Sequence, residues 1–522
     1  MPPTALHALG TSAAVEPDSG TLAGIESSVD SLFSGIADAL SSVIFYSVSI
    51  GGATFPLIVG WLVLAGLVFT AYFGLIQVRG LKVSLETVRG RYSRDDDPGE
   101  VSHFQALTSA VSGTVGLGNI AGVAVAVTIG GPGATFWMIV AGLLGMCTKF
   151  VECTLGVKYR EVHDDGTVTG GPFRYLKVAF GKLKVTWVGT LLTGIFAVAI
   201  FFFGVAGGNM FQANQTFAQV RNVTGGDDGP LGSDGAALVF GIVLAALVGA
   251  VILGGISSIG RVTSKLVPAM AIIYVSACLV VILANVGQVP DAVGAILSNA
   301  FDPEGVAGGV LGALIVGFQR AAFSNEAGIG SAAIAHSAVK TRRPVSEGFV
   351  ALLEPFVDTV VICTMTALTI VIASPQSWLD ARAEVAETGS SSADGVVLTS
   401  DAFESVVSWF PVVLAVAVAL FAFSTLITWS YYSEKAWAHF LGRSKVSVLT
   451  FRIVYCLFTV VGSVLTFSSV LTLADAMLFV CALVNIIGLY VLAPVVKEEL
   501  RSYLADRRSG KLTRDAAQAP AL

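Results

Sequence analysis

The segment SGTVGLGN, residues 112–119, places a serine, a threonine and an asparagine beside three glycines inside a long apolar run. Glycine is about 1 kcal/mol less favourable than alanine inside a helix, so this stretch favours local unwinding. Within a membrane, unwound backbone is tolerated only where it lines a cavity or is buried in protein. In secondary transporters, such breaks offer N–H groups to a carboxylate and carbonyl oxygens to a cation. A second interpretation is a small-residue face on which two helices pack closely.

A second polar interruption lies at 317–331, where Arg320, Asn325 and Glu326 stand in another hydrophobic segment. Unpaired charges inside a membrane are costly, and such residues mark a functional interior or a helix end at the interface. For Arg320 and Glu326 we favour an ion pair or a gate contact over contact with a substrate. The polar residues Asn209, Gln212 and Asn214 of a further apolar run have no role that the sequence assigns.

The composition is that of a polytopic membrane protein, with 54% hydrophobic and 13% charged residues. Soluble domains carry about 25% charged residues. The net charge of −6 argues against nucleic acid as a partner. Runs long enough to cross an apolar core of about 30 Å predict an all-α protein of about eleven transmembrane helices. These runs lie near 56–78, 104–128, 133–157, 186–219, 235–254, 262–285, 305–336, 347–373, 403–430, 448–467 and 470–496.

The positive residues predict the orientation of the chain. Alternate loops and the C-terminal tail hold nearly all Lys and Arg residues, and only Arg221 and Arg382 are expected on the opposite face. Three more, Lys149, Arg320 and Arg452, lie in or at the edge of helices. We therefore expect a multi-pass protein of the plasma membrane, with its N-terminus outside the cell and its C-terminus in the cytoplasm.

The two interrupted helices suggest an internal repeat. If the run at 56–78 is an extra helix, they are the first and sixth of the remaining ten, as in an inverted five-helix repeat with its site where the broken helices meet. The expected organisation is an extracellular tail with an amphipathic helix near 31–50, an extra helix with a cytoplasmic loop, two repeats and a cytoplasmic tail. These parts are residues 1–50, 51–102, 103–285, 286–496 and 497–522.

Several motifs resemble those of one known family. The sequences GNIAGVA at 118–124, FSNEAG at 323–328, and FST at 423–425 with WSYY at 429–432 are similar to signatures of the alanine or glycine:cation symporter family. The stretch at 115–119, with GGPGA at 130–134 and the later Glu152, more distantly resembles the neurotransmitter:sodium symporters, whose type structure is LeuT. The resemblance extends over about residues 56–496.

This resemblance implies sodium-coupled symport of alanine and glycine by a LeuT-type fold of two five-helix repeats plus one N-terminal helix, with no organic cofactor. It places the substrate carboxylate on the backbone N–H groups of Leu117 and Gly118. Selectivity for a small side chain is expected from the sixth helix and from the phenylalanines at 201–203. The implied substrate-binding residues are Gly113, Thr114, Gly116, Leu117, Gly118, Phe202, Phe318 and Gln319.

The resemblance also implies a sodium site made of oxygen ligands, which suit a hard cation. Its members are the carbonyls of Ser112 and Val115 and the hydroxyls of Ser424 and Thr425. Thr114 and Asn119 occupy the positions of a second sodium site. The seventh-helix partner of that second site is left open among Thr359, Thr364 and Thr366.

Proton coupling on the same fold is the alternative, with Glu152, Asp358, His103 or His336 as the relay. Histidine titrates in the useful range, but His103 and His336 fall at expected cytoplasmic helix ends, and we interpret them as interfacial. For Glu152 we favour a structural or gating role. No motif of an intramembrane enzyme is present, and broken helices favour alternating access over a channel. The enantiomer preference, the number of coupled ions and the oligomeric state are not fixed by the sequence.

Overall fold

The computed structural model describes residues 21–50, 53–94, 96–233, 235–302, 309–389, 391, 395–465 and 468–513. The start of the expected N-terminal tail, through residue 20, lies outside these residues. The end of the expected C-terminal tail, from residue 514, does so as well. The described chain is helical apart from two short antiparallel hairpins.

The N-terminal part consists of a helix, a hairpin and a second apolar helix. The helix expected near 31–50 begins earlier, at Thr21, and ends at Ile44, because the chain then turns into a hairpin in which Ser47 pairs with Pro56. The next helix ends at Tyr72, since the following Gly74 and Leu75 adopt positive φ angles of 65° and 56°. The elements are α1 (Thr21–Ile44), β1 (Ser47–Ile50), β2 (Ala53–Pro56), α2 (Leu57–Tyr72), α3 (Ile76–Arg79) and α4 (Leu81–Val88).

The middle of the chain contains the first interrupted helix and one long helix with a π-helical segment, Ala206–Met210. A 3₁₀ turn, Leu117–Asn119, separates the two parts of the interrupted helix. The elements are α5 (His103–Thr114), α6 (Ala121–Ile129), α7 (Gly133–Lys158), β3 (Glu161–Val162), β4 (Val168–Thr169), α8 (Pro172–Lys182), α9 (Thr186–Val205), α10 (Phe211–Val223), α11 (Ala236–Ile252) and α12 (Gly255–Ala284).

The last part contains the second interrupted helix and another π-helical segment, Phe356–Cys363. The elements are α13 (Val289–Ala300), α14 (Gly309–Asn325), α15 (Ser331–His336), α16 (Pro344–Ala351), α17 (Leu353–Pro355), α18 (Thr364–Ala373), α19 (Gln376–Thr388), α20 (Gly395–Glu404), α21 (Phe410–Leu441), α22 (Lys445–Val464) and α23 (Ser468–Arg508).

The helices are those of a multi-pass membrane protein. Within the described ranges, seven are long and apolar enough to cross a bilayer, or eight if α5 and the segment Leu117–Ile129, which meet at a bend of 62°, count as one span. The helices α2 and α11 are apolar but shorter.

Two long helices, α7 and α21, hold the interrupted helices in place. The helix α7 contacts α2, α13, α14, α15 and α16, while α21 contacts α5, α9, α10 and α12. Both breaks therefore lie in the interior of the bundle, where backbone without helical hydrogen bonds needs other partners.

Candidate functional site: a cation and substrate site between two broken helices

The break in the first helix is a short extended segment. A capping box begins α5, in which the Gln105 N–H donates to the Ser102 hydroxyl and the Ser102 N–H donates to the Gln105 side chain. The helix ends where Val115 turns to φ −75° and ψ 94°, and Gly116 follows in an extended conformation. A Cβ at Gly116 would lie 2.8 Å from the Thr425 Oγ1. Only glycine therefore lets the break approach α21 this closely.

Oxygen atoms gather where the last turn of α5 meets α21. The Thr425 and Ser424 hydroxyls each lie near the Ser112 carbonyl oxygen, at 3.2 and 3.4 Å. The Ser112 hydroxyl donates to the Ser424 carbonyl oxygen at 2.6 Å and accepts from Thr428 at 3.0 Å. All four side chains are buried. The structure thus brings together three of the four residues expected at the sodium site, and the fourth, Val115, is buried at the adjacent break.

The break also leaves backbone N–H groups without helical acceptors. The Gly116 N–H donates to the Asn119 Oδ1 at 2.9 Å, which closes the turn. The N–H groups of Leu117 and Gly118 have no hydrogen-bond acceptor among the described residues. These two N–H groups are the ones expected to bind the substrate carboxylate. The other expected residues of this stretch, Gly113 and Thr114, lie in the last turn of α5, where the Thr114 hydroxyl donates to the Val111 carbonyl oxygen.

Asn119 joins the first break to the second broken helix. Its Nδ2 donates to the Ser324 hydroxyl at 2.9 Å and to the Asp358 Oδ1 at 2.7 Å. The Ser324 and Thr359 hydroxyls donate to the other oxygen of Asp358, at 2.8 and 2.7 Å. All four side chains are at most 1% exposed. From the sequence, Asp358 is expected only as a member of a proton relay, and its contact with Asn119 is not predicted.

The three threonines considered for the seventh helix differ in position. Thr359 adjoins Asp358 as described, whereas the Thr366 hydroxyl donates to the Asn119 carbonyl oxygen at 2.9 Å. The Thr364 hydroxyl donates to the Thr359 carbonyl oxygen of the preceding π-helical segment, at 3.4 Å. Thr359 is therefore the threonine that shares hydrogen-bond partners with Asn119.

An aromatic wall stands beside the break. The Trp429 ring packs against Phe203 with centroids 4.6 Å apart, and Phe203 lies 6.3 Å from Phe323. The Trp429 Nε1–H donates to the Gly113 carbonyl oxygen at 3.2 Å. A Cβ at Gly208, in the π-helical segment after α9, would lie 2.4 Å from the Trp429 Cγ, so the glycine there makes room for the indole.

The candidate selectivity residues point in different directions. Phe202 contacts Phe33 on α1, at 6.0 Å between centroids, while its neighbour Phe203 forms part of the aromatic wall. Phe318 packs against Trp137 on α7, at 6.3 Å, and lines a small cavity with Asn325. Gln319 is half-buried one residue further along α14.

Two of the polar residues without an assigned role now have a position. The Asn209 side chain donates to the Tyr455 carbonyl oxygen at 2.9 Å and accepts from Thr459 at 2.8 Å, which ties the π-helical segment to α22. Gln212 is 8% exposed, and its Oε1 has no hydrogen-bond partner in the part of the chain that the structure describes. That oxygen lies 3.8 Å from the position of a Cβ on Gly116. Gln212 is thus a site residue that the sequence did not identify, although its polarity inside an apolar run was the available signal.

The second break lies at residues 326–330, inside the interruption expected at 317–331. Glu326 adopts a φ of 55°, and Gly328 and Gly330 adopt 89° and 93°. The Ser331 hydroxyl donates to the Glu326 carboxylate at 2.5 Å, and the Asn485 amide donates to the Gly328 carbonyl oxygen at 2.9 Å. Ser331 therefore holds the Glu326 side chain inside the protein, and Asn485 of α23 holds the backbone of the same break.

The two histidines that we interpreted as interfacial are buried inside the protein. His103 is 3% exposed and His336 is fully buried. Both rings contact the carboxylate of Glu347, which is also fully buried, and the His336 contact spans 2.5 Å. The position of a residue at a helix end does not determine its burial when a partner from another helix covers it.

Comparison with known proteins gives the family. The model of the sodium:alanine symporter family matches residues 40–517. The chain is 36% identical to the sodium/alanine symporter AgcS of Methanococcus maripaludis over 85% of this chain and 93% of that protein. It is 34% identical to the probable sodium/glutamine symporter GlnT of Bacillus subtilis over 85% of this chain and 87% of that protein.

Among solved structures, MhsT in complex with L-phenylalanine is similar, with 14% identity, a TM-score of 0.47, and coverage of 78% of this chain and 99% of that one. The resemblance read from the motifs is confirmed by the family match and the relatives. The chain is a multi-pass transport protein that belongs to the sodium:alanine symporter family.

Proposed function

We propose that this protein couples the entry of sodium to the uptake of alanine and glycine across the plasma membrane by alternating access. The observation that carries the proposal is the group of oxygens where α5 breaks against α21, around Ser112, Ser424 and Thr425. Oxygen ligands suit sodium. A cation bound there would hold the unwound segment in the conformation that presents its free N–H groups to an amino-acid carboxylate.

The aromatic side chains beside the first break support a small substrate. Relatives carry names for alanine and for glutamine symport, so the family alone leaves the side chain open. In this chain the rings of Trp429, Phe203 and Phe323 form an aromatic wall beside the first break. A Cβ at Gly118 would lie 3.8 Å from Phe323 and 3.8 Å from Ser324. A methyl group or a hydrogen fits such a position better than a long side chain. Phe203 is therefore a stronger selectivity residue than Phe202, which contacts α1.

A second cation position is also part of the proposal. The Asp358 carboxylate and the Ser324 and Thr359 hydroxyls offer oxygens between the two broken helices, beside the Asn119 amide. Asp358 thus contacts Asn119 from the seventh-helix region, in which the partner of the second sodium site was left open. The same buried carboxylate is the observation that favours the alternative, a proton as the coupling ion.

The proposed architecture has about eleven transmembrane helices in two inverted five-helix repeats, 103–285 and 286–496, after one extra N-terminal helix. The two breaks meet through Asn119 and Ser324, which is the relationship expected between equivalent helices of an inverted repeat. The positive charge of alternate loops supports a cytoplasmic C-terminus.

Equilibrium binding of labelled alanine to the purified protein tests the proposal. The binding is measured in sodium chloride and in potassium chloride of equal ionic strength at two pH values. Tighter binding in sodium at both pH values supports sodium coupling. Binding that ignores sodium and strengthens with acidity would support the proton alternative, and absence of alanine binding in all conditions would contradict the substrate assignment.

A further inference from the structure

A chain of buried ionisable side chains crosses five helices outside the cation and substrate site. It runs from His103 on α5 through Glu347 on α16 and His336 on α15 to Glu354 on α17, and from there to α7. The α7 members are Lys149 and Glu152. Every one of these six side chains is at most 3% exposed. We call these six residues the buried charge chain.

The contacts within the buried charge chain are short. The Lys149 Nζ lies 2.6 Å from Glu354 Oε1 and 3.8 Å from Glu152 Oε1. The His336 Nδ1 lies 2.5 Å from Glu347 Oε1, and its Nε2 lies 3.5 Å from Glu354 Oε2. The other oxygen of Glu347 contacts the His103 ring.

Hydrogen-bond chemistry places an extra proton in this chain. An ionised Glu347 only accepts, so the Nδ1 atoms of His103 and His336 must both carry hydrogen. The remaining nitrogen of His336 then faces a carboxylate oxygen of Glu354, and neither atom has another hydrogen-bond partner within the described ranges. A bare nitrogen lone pair opposite a carboxylate oxygen is repulsive, and two unpaired buried acceptors are costly. A proton between His336 Nε2 and Glu354 Oε2 removes both penalties.

The surroundings of this proton contain both carboxyl groups and cations. Within α16, Glu347 lies in the first turn, where the helix dipole also favours its charge. The titratable and charged groups next to the His336–Glu354 pair are Lys149, Glu152 and Cys153 on α7, Glu326 after α14, Glu347 on α16, Asp358 in the second π-helical segment and Tyr432 on α21. One step further out, Tyr175 on α8 lies near Glu152, and His103 on α5 and Arg160 after α7 lie near Glu347.

The buried charge chain ties together the helix halves that lead away from the site on one side. Both α5 and α15 are halves of the two broken helices, and the chain fixes them to α7, α16 and α17. The loops beside them are the positively charged ones, at 79–102, 158–184 and 337–346, which the proposed orientation places in the cytoplasm. A movement that opens the site to the cytoplasm must separate these helix halves, and with them His336 from Glu354 or Glu347.

We propose that the buried charge chain is a proton-dependent lock on the cytoplasmic side of the site. In the closed arrangement one proton is shared between His336 and Glu354. Opening breaks the His336 Nε2–H bond, the proton passes to cytoplasmic water, and closing takes one back from the same side. The proton therefore does not cross the membrane, and only cytoplasmic pH governs the lock. The assignment of sides rests on the proposed function and orientation.

Transport with pH set independently on each side tests the lock. The initial rate of sodium-driven alanine uptake is measured in proteoliposomes whose proteins are oriented with the cytoplasmic side inward. We expect the rate to fall several-fold as the internal pH is lowered from about 8 to about 5, the range in which histidine titrates. External pH over the same range leaves the rate unchanged, and a pH dye inside reports no alanine-driven proton flux. A rate that ignores internal pH, or a net proton flux with alanine, would overturn the proposal.

Two histidine variants provide the matched comparison. The His336→Gln variant keeps a hydrogen-bond donor but has no titrating nitrogen, and we expect its uptake rate to be independent of internal pH. His163→Gln changes a histidine in the hairpin between β3 and β4, where the ring contacts Thr169, and we expect the wild-type pH dependence. A His336→Gln profile identical to that of the wild type would overturn the proposal. If this variant does not fold, the wild-type rates decide, because the proposal requires a response to internal pH and none to external pH.

A distance measurement separates the lock from the transport function. Spin labels are placed at Phe104→Cys on α5 and Lys182→Cys on α8, both exposed, after the six native cysteines are replaced by alanine. In detergent without sodium or alanine, we expect the distance distribution to differ between about pH 5 and about pH 8, and to be constant in His336→Gln. Alanine uptake together with a label-to-label distance that does not change with pH would overturn the lock but not the proposed function. A pH-dependent distance without alanine uptake would overturn only the proposed function.

Discussion

The Thr425 hydroxyl donates a hydrogen bond of 3.2 Å to the Ser112 carbonyl oxygen, across the contact between α21 and the last turn of α5. Ser112 returns a bond of 2.6 Å from its own hydroxyl to the Ser424 carbonyl oxygen. This reciprocal contact lies directly before the break at Val115 and Gly116. A cation that binds these oxygens therefore acts on the backbone that the substrate is expected to contact.

Replacement of Thr425 by alanine removes one hydroxyl ligand of the proposed sodium site. We expect the sodium concentration for half-maximal uptake to rise roughly tenfold, which corresponds to about 1.4 kcal/mol of lost binding free energy. The preference among amino acids is expected to stay as it is. The control is Ser430→Ala on the same helix, since the Ser430 hydroxyl only donates within α21. Unchanged sodium affinity in Thr425→Ala would remove the residue from the site.

Replacement of Gly116 by alanine tests the closeness of the break to α21. The new Cβ would lie 2.8 Å from the Thr425 Oγ1, so the hydroxyl must move away from the Ser112 carbonyl. We expect weaker sodium dependence, as in Thr425→Ala, and no further loss when the two changes are combined. Gly122→Ala in α6 is the matched control because nothing lies within 4 Å of its Cβ position. Additive losses in the double variant would mean that Gly116 acts independently of Thr425.

The two neighbouring phenylalanines of α9 form a matched pair for substrate size. Phe203 packs on Trp429 and Phe323, whereas Phe202 packs on Phe33. We expect Phe203→Ala to admit bulkier neutral amino acids and Phe202→Ala to keep the wild-type substrate range, as measured by competition against labelled alanine. A widened range in Phe202→Ala alone would place that side chain, and not its neighbour, beside the substrate. Phe318→Ala is measured in the same series, because Phe318 is one of the substrate-binding residues expected from the sequence.

Replacement of Asp358 by asparagine tests the junction of the two broken helices. Three donors converge on this carboxylate, from Asn119, Ser324 and Thr359. An amide turns one acceptor oxygen into a donor, and an unsatisfied buried group costs about 1–3 kcal/mol. We expect a lower unfolding temperature and a smaller stabilisation by sodium chloride relative to potassium chloride. Asp380→Asn, at an exposed carboxylate of α19 that contacts Gln376, is expected to behave as the wild type. Equal sodium stabilisation in Asp358→Asn would exclude Asp358 from a cation site.

The sequence located both breaks because their signals are local. Glycines beside Ser112 and Asn119 weaken one helix, and Glu326 with the following glycines interrupts the other. The pairing of Asn119 with Asp358 could not be predicted from local signals, since the two residues are far apart in the chain and meet only after the two broken helices pack.

The histidines show the same limit. Their spacing from hydrophobic runs placed His103 and His336 at helix ends, and the structure agrees that each lies at an end of α5 or α15. Burial depended on Glu347, which enters from α16 and contacts both rings. The space for Trp429 beside Gly208 likewise arises from a π-helical segment, which no periodicity in the sequence indicated.

Uptake of labelled alanine into proteoliposomes is the direct test of sodium-coupled alanine transport. An inward sodium gradient is compared with an equal potassium gradient, each with and without a protonophore. We expect accumulation with sodium alone, unaffected by the protonophore. Accumulation that ignores sodium and requires a proton gradient would contradict it, as would the absence of alanine uptake under any gradient.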